Sequence, residues 1–186
     1  MSDALIGLLR RQAENNALSN HRLLTSCAQL DHAAFVATRT SFFPSIDLTL
    51  DHIYCVDVYY LDTIEENGRG RAAFDKEPVF ETFKPLAAAQ RATDRRLMAF
   101  CDRLGPTDID RTVMMFRYDG SRPRERIVDV LQHLFVHQIH HRGQVHAMLA
   151  GTSVEPPQLD EYFMAMDGPL VDADRAALAA RLASLA

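Results

Sequence analysis

The sequence predicts an all-α protein, a bundle of long helices with a short helix at the C-terminus. Three observations carry that prediction. Apolar residues recur three and four apart along four long stretches, the period of a helix that buries one face. Most of these stretches end in a stop signal. Gly and Pro number only 8 each in 186 residues, too few to supply the turns of a many-stranded β architecture.

The first helix spans about 3 to 28. Leu5, Leu8, Leu9, Leu23, Leu24 and Cys27 keep helical spacing, and Ser2 or Asp3 offers a cap. Asn15, Asn16 and Asn20 recur near its middle. They read first as a solvated stripe; the alternative is a set of amides lining the interior, where each needs a partner. Residues 30–44 loosen into a connection with a short helical turn around His32 to Val36. Ser45 then precedes a second long helix through Ile46, Leu50, Ile53, Val56, Tyr60 and Ile64, which carries His52 and stops at Asn67-Gly-Arg-Gly70.

A third helix is expected from about Pro78 to Leu104, closed by Gly105-Pro106. Pro85 inside that span signals either a kink or a true start near Lys84. Arg111 to Tyr118 alternates and is β-prone, so it reads as a lone extended excursion before Asp119-Gly120. The fourth long helix is expected to begin at a Ser121 cap with Pro123 in its first turn. It should end near Ala150, before Gly151 and Pro156-Pro157. Asp172 to Leu185 completes the prediction as an alanine-rich helix.

The chain is read as one domain, residues 1–186, long enough to bury a substantial core. A net charge of −5 gives no electrostatic case for nucleic acid. No apolar run reaches the ~20 residues that cross a bilayer. Cys27, Cys55 and Cys101 are odd in number, widely spaced and free of any CxxC pattern. They read as buried thiols in a protein of the cytoplasm.

The chemistry concentrates in Leu131 to Gln144. Five of the eight histidines fall between His133 and His146, within an otherwise apolar helix. His133, His137 and His141 are four apart and share a face, as two imidazoles on one metal ion must. Three successive positions of this ladder span about 12 Å, too far for all three to hold one ion. His137 and His141 are the better pair, being central, and His52 on another helix is a candidate third. Burying such a ladder without a metal would leave ring nitrogens unpaired, at about 1–3 kcal/mol each. His140 and His146 point to other faces.

Three motifs also carry a resemblance. Asn16-Ala-Leu-Ser-Asn-His-Arg-Leu-Leu24, Leu50-Asp-His-Ile-Tyr-Cys-Val-Asp57 and His137-Gln-Ile-His-His-Arg-Gly-Gln144 resemble the DinB/YfiT-like family of metal-dependent proteins. Its patterns are N-x-W-x-N-x-R-L-L, L-x-H-I/L-x-x-x-D and H-x-x-x-H-R-G-Q. The stretch Gly151 to Asp160 resembles the family's G-x-x-P-P-x-x-D. The likeness covers nearly the whole chain; Leu18 stands where the family often has tryptophan. It implies a four-helix bundle in up-down-down-up order and a divalent metal, zinc or nickel, on His52, His137 and His141. Arg142 would then support the site, paired with an acid such as Asp57, while Gly143 would allow close helix approach. Asn16, Asn20 and Gln144 are candidate cavity residues.

An ion held by three imidazoles keeps a coordination position for water or substrate, which favours catalysis or ligand binding over a closed structural site. The resemblance implies thiol chemistry: a metal-dependent S-transferase acting on small molecules, with a low-molecular-weight thiol as partner. A hydrolase, a non-catalytic metal-binding stress-response module and a helical interaction protein are the alternatives. No catalytic base is identified, and the exposed helix faces leave room for a homodimer.

Overall fold

The structure, a computed structural model, describes residues 2–66, 72, 74, 75 and 78–183. Its helices are α1 (Ser2–Cys27), α2 (His32–Val36), α3 (Ile46–Ile64), α4 (Phe83–Arg103), α5 (Ile127–Leu149) and α6 (Gly168–Ala183). Two short strands, β1 (Thr112–Met114) and β2 (Arg124–Arg126), pair antiparallel just before α5. The stop signal expected at 67–70 and the last residues of the terminal helix lie outside the described residues. No described helix is long and apolar enough to cross a membrane.

Hydrogen bonds between helices fix the order of the bundle. Arg10 near the start of α1 donates to the carbonyls of Cys101, Asp102 and Leu104 at the end of α4, so these helices run antiparallel. Asp51 of α3 accepts from the backbone N–H groups of Val79 and Phe80 just before α4. Arg96 late in α4 pairs with Asp62 and Glu65 late in α3. Those two helices are therefore parallel. His52 meets His137, and Tyr60 meets His133, which sets α5 antiparallel to α3. The expected up-down-down-up bundle results, with α1 packed on α4 and α5, and α3 on the same two.

The core lies in two layers along the bundle axis. Ile6, Leu9, Ile64, Leu97, Ile127 and Leu131 fill one end; Leu23, Leu24, Ile46, Leu86, Val145 and Leu149 fill the other. Leu18 is fully buried with Tyr162, Val171 and Leu178, so the C-terminal segment covers the place expected for a larger ring. Arg22 to Asp174 and Arg175 to Glu14 tie α6 to α1. All three cysteines are buried thiols.

One expectation is narrowed and three are corrected. Of the two readings of Pro85 the late start holds: residues 78–82 are not helical, and α4 begins at Phe83 with Pro85 in its first turn, where a missing N–H costs nothing. The excursion at 111–118 is not a lone strand, because Thr112, Val113 and Met114 pair with Arg126, Glu125 and Arg124. That pairing consumes the segment expected as the first turns of the fourth helix, so α5 starts at Ile127 instead of Ser121. Gly143 is exposed and a Cβ added there would meet nothing within 4 Å, so it serves no close helix approach. Gly143→Ala should accordingly raise stability by about 0.5–1 kcal/mol, since alanine is the better helix former. Urea unfolding with an unchanged or lower midpoint would count against this.

Candidate metal centre

His52 sits in the second turn of α3, and His137 and His141 occupy successive turns of α5. The antiparallel packing of these helices brings the three rings together. One potential ligand nitrogen from each lies within 4.8 Å of the others, an arrangement that could hold a metal ion. His137 Nε2 and His52 Nε2 are 3.3 Å apart. Two nitrogens bound at 2.0–2.1 Å to a tetrahedral ion stand about 3.3–3.4 Å apart, so this spacing fits zinc-like coordination. His133 is excluded as a ligand by its position, for its ring packs on Tyr60 a turn away.

Neighbouring groups set the tautomers. His141 donates its Nδ1 hydrogen to Gln144 Oε1 at 2.7 Å, leaving Nε2 as the nitrogen with a lone pair. The Gln144 amide is itself held by His140 Nε2 at 3.2 Å. Gln144 therefore orients the His141 ring. Gln144→Ala should weaken zinc binding by about tenfold, the lower end for partners of metal-ligating histidines; competition with a chelator would measure it. Phe43, from the connection before α3, lies 4.3 Å from the His52 ring and 5.7 Å from the His141 ring, and covers one side of the cluster.

Burial, then the surrounding imidazoles, hold His137 down at about 3. His141 is lowered for the same first reason. Both rings are thus kept neutral, as ligands must be. The unfolded chain takes up a proton on His137 near pH 6.5, and the fold does not until about 3. The unfolded state binds more protons between those values, so metal-free protein should lose stability as pH falls through that window. The loss should be smaller in His137→Leu, by urea midpoints at pH 7 and pH 4.5. An equal loss would argue against a neutral, buried ring.

One helical step from the ligands, α5 presents a second set of polar residues to the bundle interior. Arg142 is 4% exposed and donates to Asn16, to Asn20 at 3.1 Å and to Gln138 at 3.0 Å. Asn20 and Asn16 donate in turn to Asp94 on α4, at 2.8 and 3.4 Å. Gln90 and Gln138 donate to Asp57. Asn16 and Asn20 are therefore interior residues, not a solvated stripe, and they hold Arg142 instead of lining the metal site. Arg142 also lacks the direct pairing with Asp57 that was expected; Gln138 stands between them. Burial raises Asp57 to about 8 and Asp94 to about 7, and lowers Arg142 to about 10 against the pull of both acids. Asp94, Gln90 and Gln138 were missed from sequence. Their only signal is a four-residue spacing, Gln90 to Asp94 and Gln138 to Arg142, on faces that are otherwise apolar.

A cleft of about 740 Å³ opens beside the cluster, with His52 and His137 in its wall. Tyr59, Tyr60, Met115, Phe116 and Tyr118 make it largely aromatic, and the β1–β2 hairpin forms one side. A second cavity of about 440 Å³ reaches His52 from the side of Phe43, Leu48 and Pro78.

The DinB family matches this sequence over residues 1–170. The chain belongs to the DinB family. The match takes in all four bundle helices and every residue of the histidine cluster, and ends as α6 begins. No curated protein matches the chain. Family membership and the clustered histidines together make this a DinB-like protein with a candidate divalent-metal site.

Proposed function

We propose that this DinB-family protein is a metal-dependent enzyme that transfers a small-molecule thiol to an electrophile. The observation that carries the reading is the three-imidazole cluster, two of whose rings, His52 and His137, line an open, aromatic cleft. Three neutral ligands leave the charge of a divalent ion uncompensated, so a bound ion would act as a Lewis acid that favours the thiolate form of a thiol. Zinc and nickel both suit imidazole. The residues of the chain supply the rest. Gln144 fixes the His141 tautomer, Phe43 limits water on one side, and the cleft admits the electrophile where His52 and His137 face it.

With an alkyl halide as electrophile, a carbon–sulfur bond forms and the carbon–halogen bond breaks. Halide leaves with the bonding pair, and the thiol proton passes to solvent. The test is a screen of low-molecular-weight thiols with a fluorogenic halide, on protein loaded with zinc or nickel. Thiol consumption well above the metal-free rate, and lost in His137→Ala, is expected. No metal-dependent rate with any thiol would end the transferase reading.

A further inference from the structure

Strand β2 carries a charge where its geometry calls for an apolar residue. Arg124 and Arg126 occupy one face of the strand and engage Thr112 and Asp129, respectively. Glu125 lies between them, on the inward face that it shares with its cross-strand partner Val113, which is fully buried. Glu125 is half-buried, and no described residue makes an ion pair or hydrogen bond to its carboxylate. Its carboxylate is thus uncommitted, unlike those of Asp119 and Asp129 at the same cleft, which accept from the Ser121 N–H and from Arg126.

The carboxylate lines the cleft that reaches His52 and His137. Tyr59, Tyr60, Phe116 and Tyr118 share that wall, and the one guanidinium among the described lining residues, Arg117, is solvent-exposed and attracted to Asp119. A half-buried carboxylate among aromatic faces is the combination that recognises an organic cation, by charge and by the ring quadrupole together. An anionic substrate tail would instead meet three carboxylates. We propose that Glu125 is the specificity residue of this cleft and selects molecules with a protonated amine remote from the end that reaches the histidines. The substrate class is then an amine-bearing thiol, which rests on the thiol reading above.

The probes are ω-aminoalkanethiols of increasing length, each beside the ω-hydroxyalkanethiol of equal length, titrated calorimetrically into cobalt-loaded protein. At the best-fitting length the amine should bind about tenfold more tightly than its neutral twin. Glu125→Gln should bring the two together, with cobalt content and helicity measured in parallel to confirm an intact site. Equal affinity of the twins at every length, or an amine preference that survives Glu125→Gln, would overturn the assignment. Alkylammonium ions without sulfur separate it from the thiol reading. Their Glu125-dependent binding, with no binding of any thiol, would keep the role of Glu125 and retire thiol chemistry. Thiol binding with no amine preference would do the reverse.

Discussion

Alanine at any one of His52, His137 or His141 is expected to strip the protein of its metal. The parent should carry close to one equivalent of zinc or nickel after reconstitution at neutral pH, and each variant very little. Loss of a partner that merely orients a ligand already weakens binding by about 10–100-fold, so loss of a ligand itself should exceed about a hundredfold. His133→Ala and His140→Ala are the controls. His133 packs on Tyr60, and His140 is exposed, bonded to Gln144 and edge-on to the His141 ring without adding a nitrogen to the cluster; both variants should keep the ion. Elemental analysis of the desalted proteins gives the answer. Full metal content in His52→Ala would show that α3 contributes no ligand, and the three-residue centre would fall.

The largest loss of stability is expected from Arg142→Met. Arg142 is buried and holds Asn16, Asn20 and Gln138, with Asp57 and Asp94 just beyond. Removing the cation leaves three amide oxygens without their donor and both buried carboxyls without a nearby positive charge, a change that costs about 3–5 kcal/mol when a buried ionic cluster is broken. Both carboxyls are raised above the ordinary Asp range of the unfolded chain, to about 8 and about 7. They hold protons in the fold that the unfolded chain has already released, so their neutral forms favour the fold at low pH and that benefit fades as pH rises toward 8. The deficit of Arg142→Met against the parent should therefore be smaller at pH 5.5 than at pH 8. Adding Asp57→Asn and Asp94→Asn should recover part of it, because neutral amides can satisfy one another. A midpoint within experimental error of the parent would mean that the cluster is solvated in solution.

The histidine pair on α5 was legible because imidazoles four apart in an apolar helix have few uses; the family resemblance, not spacing, selected His52 as their partner. The bundle was legible for the same periodic reason. What escaped was of two kinds. Arg124-Glu-Arg126 has no apolar alternation, so a strand there could not be told from the start of a helix, and Ser121 with Pro123 imitates a helix N-terminus. The interior network escaped because Asn16, Asp94 and Gln138 are polar types that ordinarily face solvent, and a four-residue spacing does not say that they turn inward. Only the packing of α1, α4 and α5 shows that their partners are each other. The role of Phe43 was hidden differently, since a connecting segment has no period to reveal which side chain points inward.

The order of the helices also bears on how fast the chain can fold. α1 does not pack beside α3, the long helix that follows it; its neighbours are α4 and α5. The bonds that join the helices accordingly link residues far apart in sequence, 74 for Asn20 with Asp94, 81 for Asp57 with Gln138 and 122 for Asn20 with Arg142. Each demands closure of a long loop before any contact repays it. A bundle of sequential helical hairpins can instead assemble from neighbours. This protein should therefore refold more slowly than an up-down-up-down bundle of equal size and stability, with α1 gaining its protection from hydrogen exchange only as α5 docks.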